Sequence, residues 1–159
     1  MANLDNAAEL IKRYEGLRLK AYLCPAGVQT IGYGSTGPDI RLGMEWTKQQ
    51  AEDDLEARIE DLFHRISALL KYDLYDNEMC ALISFVYNLG LGAFKGSTLL
   101  KLINVDDQDA PKQILLWDKA AGRALSGLRS RRICEYLLYS QGRIATQDEC
   151  FGLIGKYYA

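Results

Sequence analysis

The sequence predicts an α+β chain: a short N-terminal helix, a small β-hairpin lobe, a long connecting helix and a C-terminal lobe built of helices. Three observations carry this reading. Apolar residues recur at helical spacing before residue 16 and again beyond residue 47. Strand-forming residues concentrate between 21 and 33 around a Pro-Ala-Gly turn. No repeat, low-complexity segment or Pro/Gly/Ser linker interrupts the rest. The 159 residues suit one domain with a real core. The expected division is an N-lobe of about 12–60, a linking helix of about 47–70 and a helical C-lobe of about 71–159 that also takes in the N-terminal helix.

The first helix follows from Leu4, Ala7, Ala8, Ile11 and Tyr14, with Asn3 or Asp5 able to cap it and Gly16 to stop it. Glu15 therefore sits at a helix C-terminus. Ala21–Leu23 and Val28–Tyr33 read as strands joined by Pro25, Ala26 and Gly27, giving a hairpin or a three-stranded sheet. Thr47 and Gln50 form a capping-box pattern, and Leu55, Ile59, Leu62, Ile66 and Leu69 mark one face of a helix about 35 Å long. Further helices are expected over Asp76–Leu89, Ser97–Ile103, Asp109–Ala121 with Gly122 as its stop, and Leu128–Tyr139. A last helix is capped by Thr146 with Glu149.

Composition excludes several classes. Apolar residues make up 48% and charged residues 25%, a mix that folds and does not span a bilayer. The N-terminal MANLDNAAELIKRYEG carries charges where a secretory signal needs an apolar run, so cytoplasmic synthesis without a membrane anchor is expected. A net charge of −2 argues against a nucleic-acid partner. Lys119, Arg123, Arg129, Arg131, Arg132 and Arg143 nevertheless cluster in the last third; they read equally as a solvated face or as an approach to an anionic polymer. Cys24, Cys80, Cys134 and Cys150 are irregularly spaced and His64 is the only histidine, so neither a metal site nor any other cofactor is expected. Cytosolic residence favours free thiols.

The residue types around the hairpin suit hydrolysis of a glycosidic bond, which uses an acid on the leaving oxygen and a second group across the sugar ring. A carboxyl at a helix C-terminus faces partial negative charge that disfavours its ionised form, which suits Glu15 to the acid role. Cys24 and Thr30, on or beside adjacent strands, could flank one cleft opened toward it. Spacing alone leaves the ordinary readings open: a solvated glutamate, a small buried thiol and a strand threonine.

The pattern Glu15, eight residues, Cys24, five residues, Thr30 resembles the Glu/Asp-or-Cys/Thr triad of phage-type lysozymes, glycoside hydrolase family 24. It stands within YEGLRLKAYLCPAGVQTIGYGST, and ALISFVYNLGLGAFKGSTLLKLIN and WDKAAGRALSGLRSRRICEYLLY resemble the same family, so the likeness covers nearly the whole chain. The resemblance implies a lysozyme-like fold with a cleft between the lobes. It also implies hydrolysis of the β-1,4 bond between N-acetylmuramic acid and N-acetylglucosamine in peptidoglycan. Glu15 takes the acid role, Thr30 holds a water or orients the second group, and Arg131 stands close to the acid. Tyr87, Asn88 and Ser97 fall on the cleft-lining segment as candidate sugar contacts, although Tyr87 could equally pack and Ser97 equally cap a helix. Trp117 is expected in the core.

Two departures from the commonest family pattern matter. Cys24 stands where many relatives have Asp, so either a thiolate nucleophile with retention or an oriented water with inversion is compatible. Ser35 replaces a common His, which is expected to remove one polar tie near the cleft and to affect stability more than chemistry. The role implied is a monomeric endolysin held in the host cytoplasm, released by a holin-made lesion, and acting in the periplasm on the cell wall. An effector-type muramidase toxin and a catalytically weak wall-binding module are the competing readings.

Overall fold

The computed structural model describes residues 2–159. Helix α1 (Asp5–Glu15) opens where the Asn3 side chain accepts the Asp5 amide at 3.0 Å. It buries Ala7, Leu10 and Ile11 on one face and ends at Gly16. Strands β1 (Arg18–Leu23) and β2 (Gln29–Gly32) pair antiparallel with Tyr22 opposite Thr30. The tight turn between them is closed by Cys24 N–H on Val28 O (3.0 Å) and Gly27 N–H on Cys24 O (2.8 Å). A third edge comes from the chain at 44–46: Ala21 donates to Met44 O and Trp46 donates to Leu19 O. Gly32, at φ +67°, lets the Trp46 ring lie against backbone where a side chain could not fit.

Thr47 caps α2 (Lys48–Ser67) in a full capping box: Gln50 N–H reaches its hydroxyl at 3.1 Å and the Gln50 side chain accepts Thr47 N–H at 2.8 Å. Twenty residues give a helix of about 30 Å, shorter than expected. It ends early because the Asn104 amide accepts Lys71 N–H and donates to Leu69 O, both at 2.9 Å, which satisfies backbone groups a further turn would need. The acidic residues Glu52, Asp53 and Asp54 fall in its second turn.

The remaining elements are α3 (Asp76–Leu89), α4 (Leu91–Lys95), α5 (Thr98–Asn104), a 3-10 helix (Ala110–Leu116), the hairpin β3 (Lys119–Ala120) and β4 (Arg123–Ala124), α6 (Ser126–Gln141), α7 (Gln147–Gly152) and α8 (Ile154–Tyr157). The core runs from Leu10 and Ile11 through Leu55 and Ile59 to Ile83, Phe85, Phe94, Ile114, Ile133 and Leu138. Phe85 meets Phe94 and Trp117 edge to face, at 6.5 and 5.7 Å between ring centres, so Trp117 packs on the core as expected.

Three expectations need correction. The helix predicted over Asp109–Ala121 is a 3-10 helix that stops at Leu116, followed by a β-hairpin. Asp118 causes the break: its buried carboxylate takes Lys119 and Arg129 at 3.0 and 2.8 Å, and its carbonyl accepts Leu125 N–H. Gly122 (φ +77°) is thus a hairpin turn, not a helix stop. The basic cluster is not one surface: Arg131 and Arg132 are buried, Arg129 and Lys119 hold Asp118, and Arg143 grips Glu149 through two bonds of 2.6 and 2.8 Å. Finally, the four thiols are not all free. Cys134 on α6 and Cys150 on α7 form a disulfide, because packing of these two helices brings their Cα atoms to 5.9 Å although the residues are 16 apart in sequence. Reduction, or Cys150→Ser, is expected to lower unfolding stability by about 3 kcal/mol, read as a shift of the urea midpoint.

Candidate active site

Glu15 occupies the last position of α1, and two approaches from other parts of the chain confine its carboxyl group. Gly34 (φ +83°), just after the hairpin, comes so near that a Cβ there would lie 3.4 Å from Glu15 Oε2. Only glycine takes that backbone conformation without strain. At the other carboxyl oxygen, Arg131 Nη1 lies 3.5 Å from Glu15 Oε1. The Glu15 side chain keeps 21% exposure, so a ligand can still reach it.

Arg131 is itself positioned by α3 and by its own helix. Its Nη2 donates to Ser84 O at 3.0 Å, and its Nε lies 3.4 Å from Glu135 Oε2. Ser84 Oγ donates to the same Glu135 oxygen at 2.6 Å. Arg132 Nε stands 2.9 Å from Glu135 Oε1 as an ion pair without hydrogen-bond alignment, while its Nη2 donates to Asn88 Oδ1 at 2.8 Å. Burial pushes the Arg132 pKa down and the Glu135 charge opposes that push.

The Tyr87 phenol donates to Tyr33 O at 2.6 Å and so ties α3 to the backbone next to Gly34. Burial, above all, raises its pKa to about 12, which keeps it a neutral donor. Tyr33 donates in turn to Glu52 Oε1 at 2.9 Å, and Glu52 pairs with Lys12 of α1 at 2.5 Å. Ser35 corrects an expectation. Its hydroxyl donates to Asp54, which also holds Arg58 Nε at 3.0 Å, so a polar tie between hairpin lobe and α2 is present at this position.

Cys24 follows β1 at the turn and Thr30 lies in β2, the latter almost wholly buried. Backbone hydrogen bonds at Val28 and Ala26, followed by the Thr30 hydroxyl, lower the Cys24 pKa below that of an ordinary thiol. Thr30 Oγ1 also donates to Val28 O at 2.8 Å. A hydroxyl has one proton to donate, and here it is given to that carbonyl.

The structure thus brings Glu15, Arg131 and Tyr87 to one region, with Cys24 and Thr30 on the hairpin that delivers Gly34. Asn88 is half-buried, its amide oxygen taken by Arg132. Ser97 is not brought to this face: it is 4% exposed and caps α5, accepting Leu100 N–H at 3.1 Å and donating to Phe94 O at 2.7 Å. Sequence reasoning missed Gly34, Ser84 and Glu135. The i,i+3 and i,i+4 spacing of Arg131, Arg132 and Glu135 was the available signal for the last of these.

The phage lysozyme family matches residues 12–135. The chain belongs to this family. It is 42% identical over 135 residues to an endolysin of Acyrthosiphon pisum secondary endosymbiont phage 1, covering 82% of this chain and 92% of that one. It is 39% identical over 144 residues to an endolysin of Bacillus phage B103, covering 88% of this chain, which spans only 55% of that longer relative. Among solved structures, an endolysin from the Escherichia coli O157:H7 phage FAHEc1 superposes with a TM-score of 0.80 at 31% identity, over 91% of this chain and 97% of that one. The family membership and the α+β architecture agree with the expectation from the sequence.

In the folded protein, the Cys24 thiolate is present above its lowered pKa and lost as pH falls through it. Alkylation followed by mass spectrometry is therefore expected to modify Cys24 first, with a midpoint below that of free cysteine. Cys80, buried and with its pKa raised by that burial, should react far more slowly. Equal rates at the two sites would contradict the assignment.

Proposed function

We infer that this phage lysozyme family member is an endolysin-type muramidase. It hydrolyses the β-1,4 bond between N-acetylmuramic acid and N-acetylglucosamine in bacterial peptidoglycan, with Glu15 as the general acid. The observation that carries the reading is the confinement of a partly exposed Glu15 carboxyl between Gly34 and Arg131, in a chain whose family relatives are endolysins. A group held by two walls keeps its geometry while a sugar ring enters, which is what a proton donor to a leaving oxygen needs.

Cys24 and Thr30 supply the second group. The lowered thiol pKa makes sulfur available as an anion, and the Thr30 proton steadies either that anion or a water beside it. Attack by the thiolate on the anomeric carbon gives retention, and delivery of a water gives inversion. The anomer of the first product, read by NMR before mutarotation, distinguishes the two. Tyr87 and Asn88 remain the proposed sugar contacts on α3. No helix among the described residues is long and apolar enough to cross a membrane. The proposed course is accumulation in the host cytoplasm, holin-dependent release and action as a monomer on the periplasmic wall.

Clearing of outer-membrane-permeabilised Gram-negative cells tests the acid. Glu15→Gln is expected to slow turbidity loss by roughly 100- to 10,000-fold while leaving the fold intact, and muropeptides released by the parent protein should carry new reducing muramic ends. Equal clearing by the two proteins would remove Glu15 from the mechanism.

A further inference from the structure

An open cavity of about 480 Å³ lies at the N-terminal end of α3, among residues 72–78, residues 103–111 and the last turn of α6. Glu78 on its wall precedes Tyr87 by nine residues, about 13 Å along the helix, so the cavity is separate from the region around Glu15. Its walls carry one sign of charge. Asp73, Glu78, Asp106 and Asp107 line it, no lysine or arginine does, and none of the four carboxylates has an ion-pair partner among the described residues. Glu78 Oε1 accepts Tyr75 N–H at 2.9 Å and Asp107 Oδ1 accepts Asp109 N–H at 2.8 Å, bonds that fix both side chains without cancelling their charge.

Three tyrosines complete the walls. Tyr75 is 79% exposed and Tyr139 only 8%, with Tyr72 between these extremes. Tyr72 gives its hydroxyl proton to Ile103 O at 2.5 Å. The Tyr139 hydroxyl has no hydrogen-bond partner among the described residues, although the Tyr139 carbonyl is taken by the Asn77 amide at 3.1 Å. Burial raises the Tyr139 pKa, and Glu78, Tyr72 and Asp106 add to the rise, so the hydroxyl lies among the acids and stays neutral. A phenol this buried destabilises the fold unless a partner meets it.

This donor set selects its ligand. Among the described residues no group of three or more His, Cys, Asp or Glu side chains is placed to hold a metal ion. Separated carboxylates, aromatic walls and a buried phenol oxygen suit a larger, organic cation: the carboxylates attract its charge, the phenol oxygen accepts an N–H, and ring faces attract cations. The C-terminal end of α6 adds partial negative charge, which the N-terminal end of α3 opposes. We propose that this cavity binds an alkylammonium group, with Tyr139 Oη accepting an N–H, Glu78 and Asp106 supplying the counter-charge, and Tyr72 and Tyr75 flanking the cation. Such a group is carried both by the free amino ends of peptides in a bacterial wall and by small soluble amines. The wall source rests on the proposed peptidoglycan substrate; the binding itself does not.

The test is a titration of the parent protein with pentylammonium chloride, followed through backbone amide NMR shifts. Saturable shifts are expected at residues lining the cavity, with a Kd on the order of 1 mM for a ligand of this size. Tyr139→Phe, Glu78→Gln and Asp106→Asn preserve shape while removing a hydroxyl or a charge, and asparagine tolerates the φ of +54° at position 106. Each is expected to weaken binding about tenfold. Tyr139→Phe should also leave the urea midpoint of the free protein unchanged or higher, because no internal hydrogen bond is lost. A fall in that midpoint, with binding intact, would give the hydroxyl a structural role and overturn its assignment to a ligand. Pentanol and sodium chloride at the same concentrations should move none of these amides. Shifts reproduced by sodium, no shifts with pentylammonium, or parent-like binding by all three variants would overturn the proposal.

Sacculi separate the two sources. Glu15→Gln protein should be retained several-fold less by sacculi whose free amines have been acetylated, and less by untreated sacculi when pentylammonium is added. Equal retention throughout, beside a positive titration, assigns the site to a soluble amine. Absence of clearing by the parent protein would remove the muramidase reading and the wall source with it, and would leave the titration standing.

Discussion

Arg131, Arg132 and Glu135 are nearly excluded from solvent on one side of α6, and a helix that carries them can pack only where every charge finds an answer. Helix α3 provides it. Ser84 offers a hydroxyl to Glu135 and a carbonyl to Arg131, Asn88 offers its amide oxygen to Arg132, and the Phe85 ring lies under the Arg132 guanidinium at 5.1 Å. These pairings hold α6 against α3 in one register, beside the apolar residues that the two helices share in the core. Taking away one member leaves an uncompensated buried charge, a loss of roughly 3–5 kcal/mol in proteins generally. The same register places Arg131 against Glu15, so the packing requirement and the catalytic environment are one arrangement.

The hairpin lobe approaches that arrangement from the other side and depends on fewer contacts. It is tied to the rest through Tyr87 on Tyr33 O, Tyr33 on Glu52, and Ser35 on Asp54. Each of these joins a hairpin-lobe residue to a helix, and Gly34 lies between Tyr33 and Ser35. The backbone that meets the Glu15 carboxyl is therefore gripped on both sides. Cys24 sits at the far end of the same hairpin, in a turn whose backbone hydrogen bonds stabilise a thiolate.

The disulfide adds a separate restraint. Cys134 lies on α6 among the buried charges, next to Glu135, and the Tyr14 hydroxyl stands 3.1 Å from its sulfur. Arg13 reaches Ala145 O at 2.6 Å across the same junction. The C-terminal turn of α1, which ends in Glu15, thus rests on a segment that the α6–α7 crosslink holds in place.

Local pattern was enough for the elements whose signals are local. The caps of α2 at Thr47 and of α7 at Thr146, the stop of α1 at Gly16 and the Pro-Ala-Gly turn were all legible, because each depends on residues within a turn of one another. The placement of Glu15 at a helix end and of Cys24 and Thr30 across a hairpin came from the same source. What tertiary structure alone decided was everything settled between distant residues. Asp118 broke an expected helix because Arg129 and Lys119 needed its carboxylate. Asn104 shortened another by bonding residues some thirty positions earlier. Two cysteines met because two helices packed, and a run of basic residues that looked like a surface became a buried charge cluster, an external clamp on Glu149 and an anchor for a hairpin. A charge in a sequence carries no sign of its partner, since pairing depends on distance in space and dielectric surroundings that only the folded chain creates.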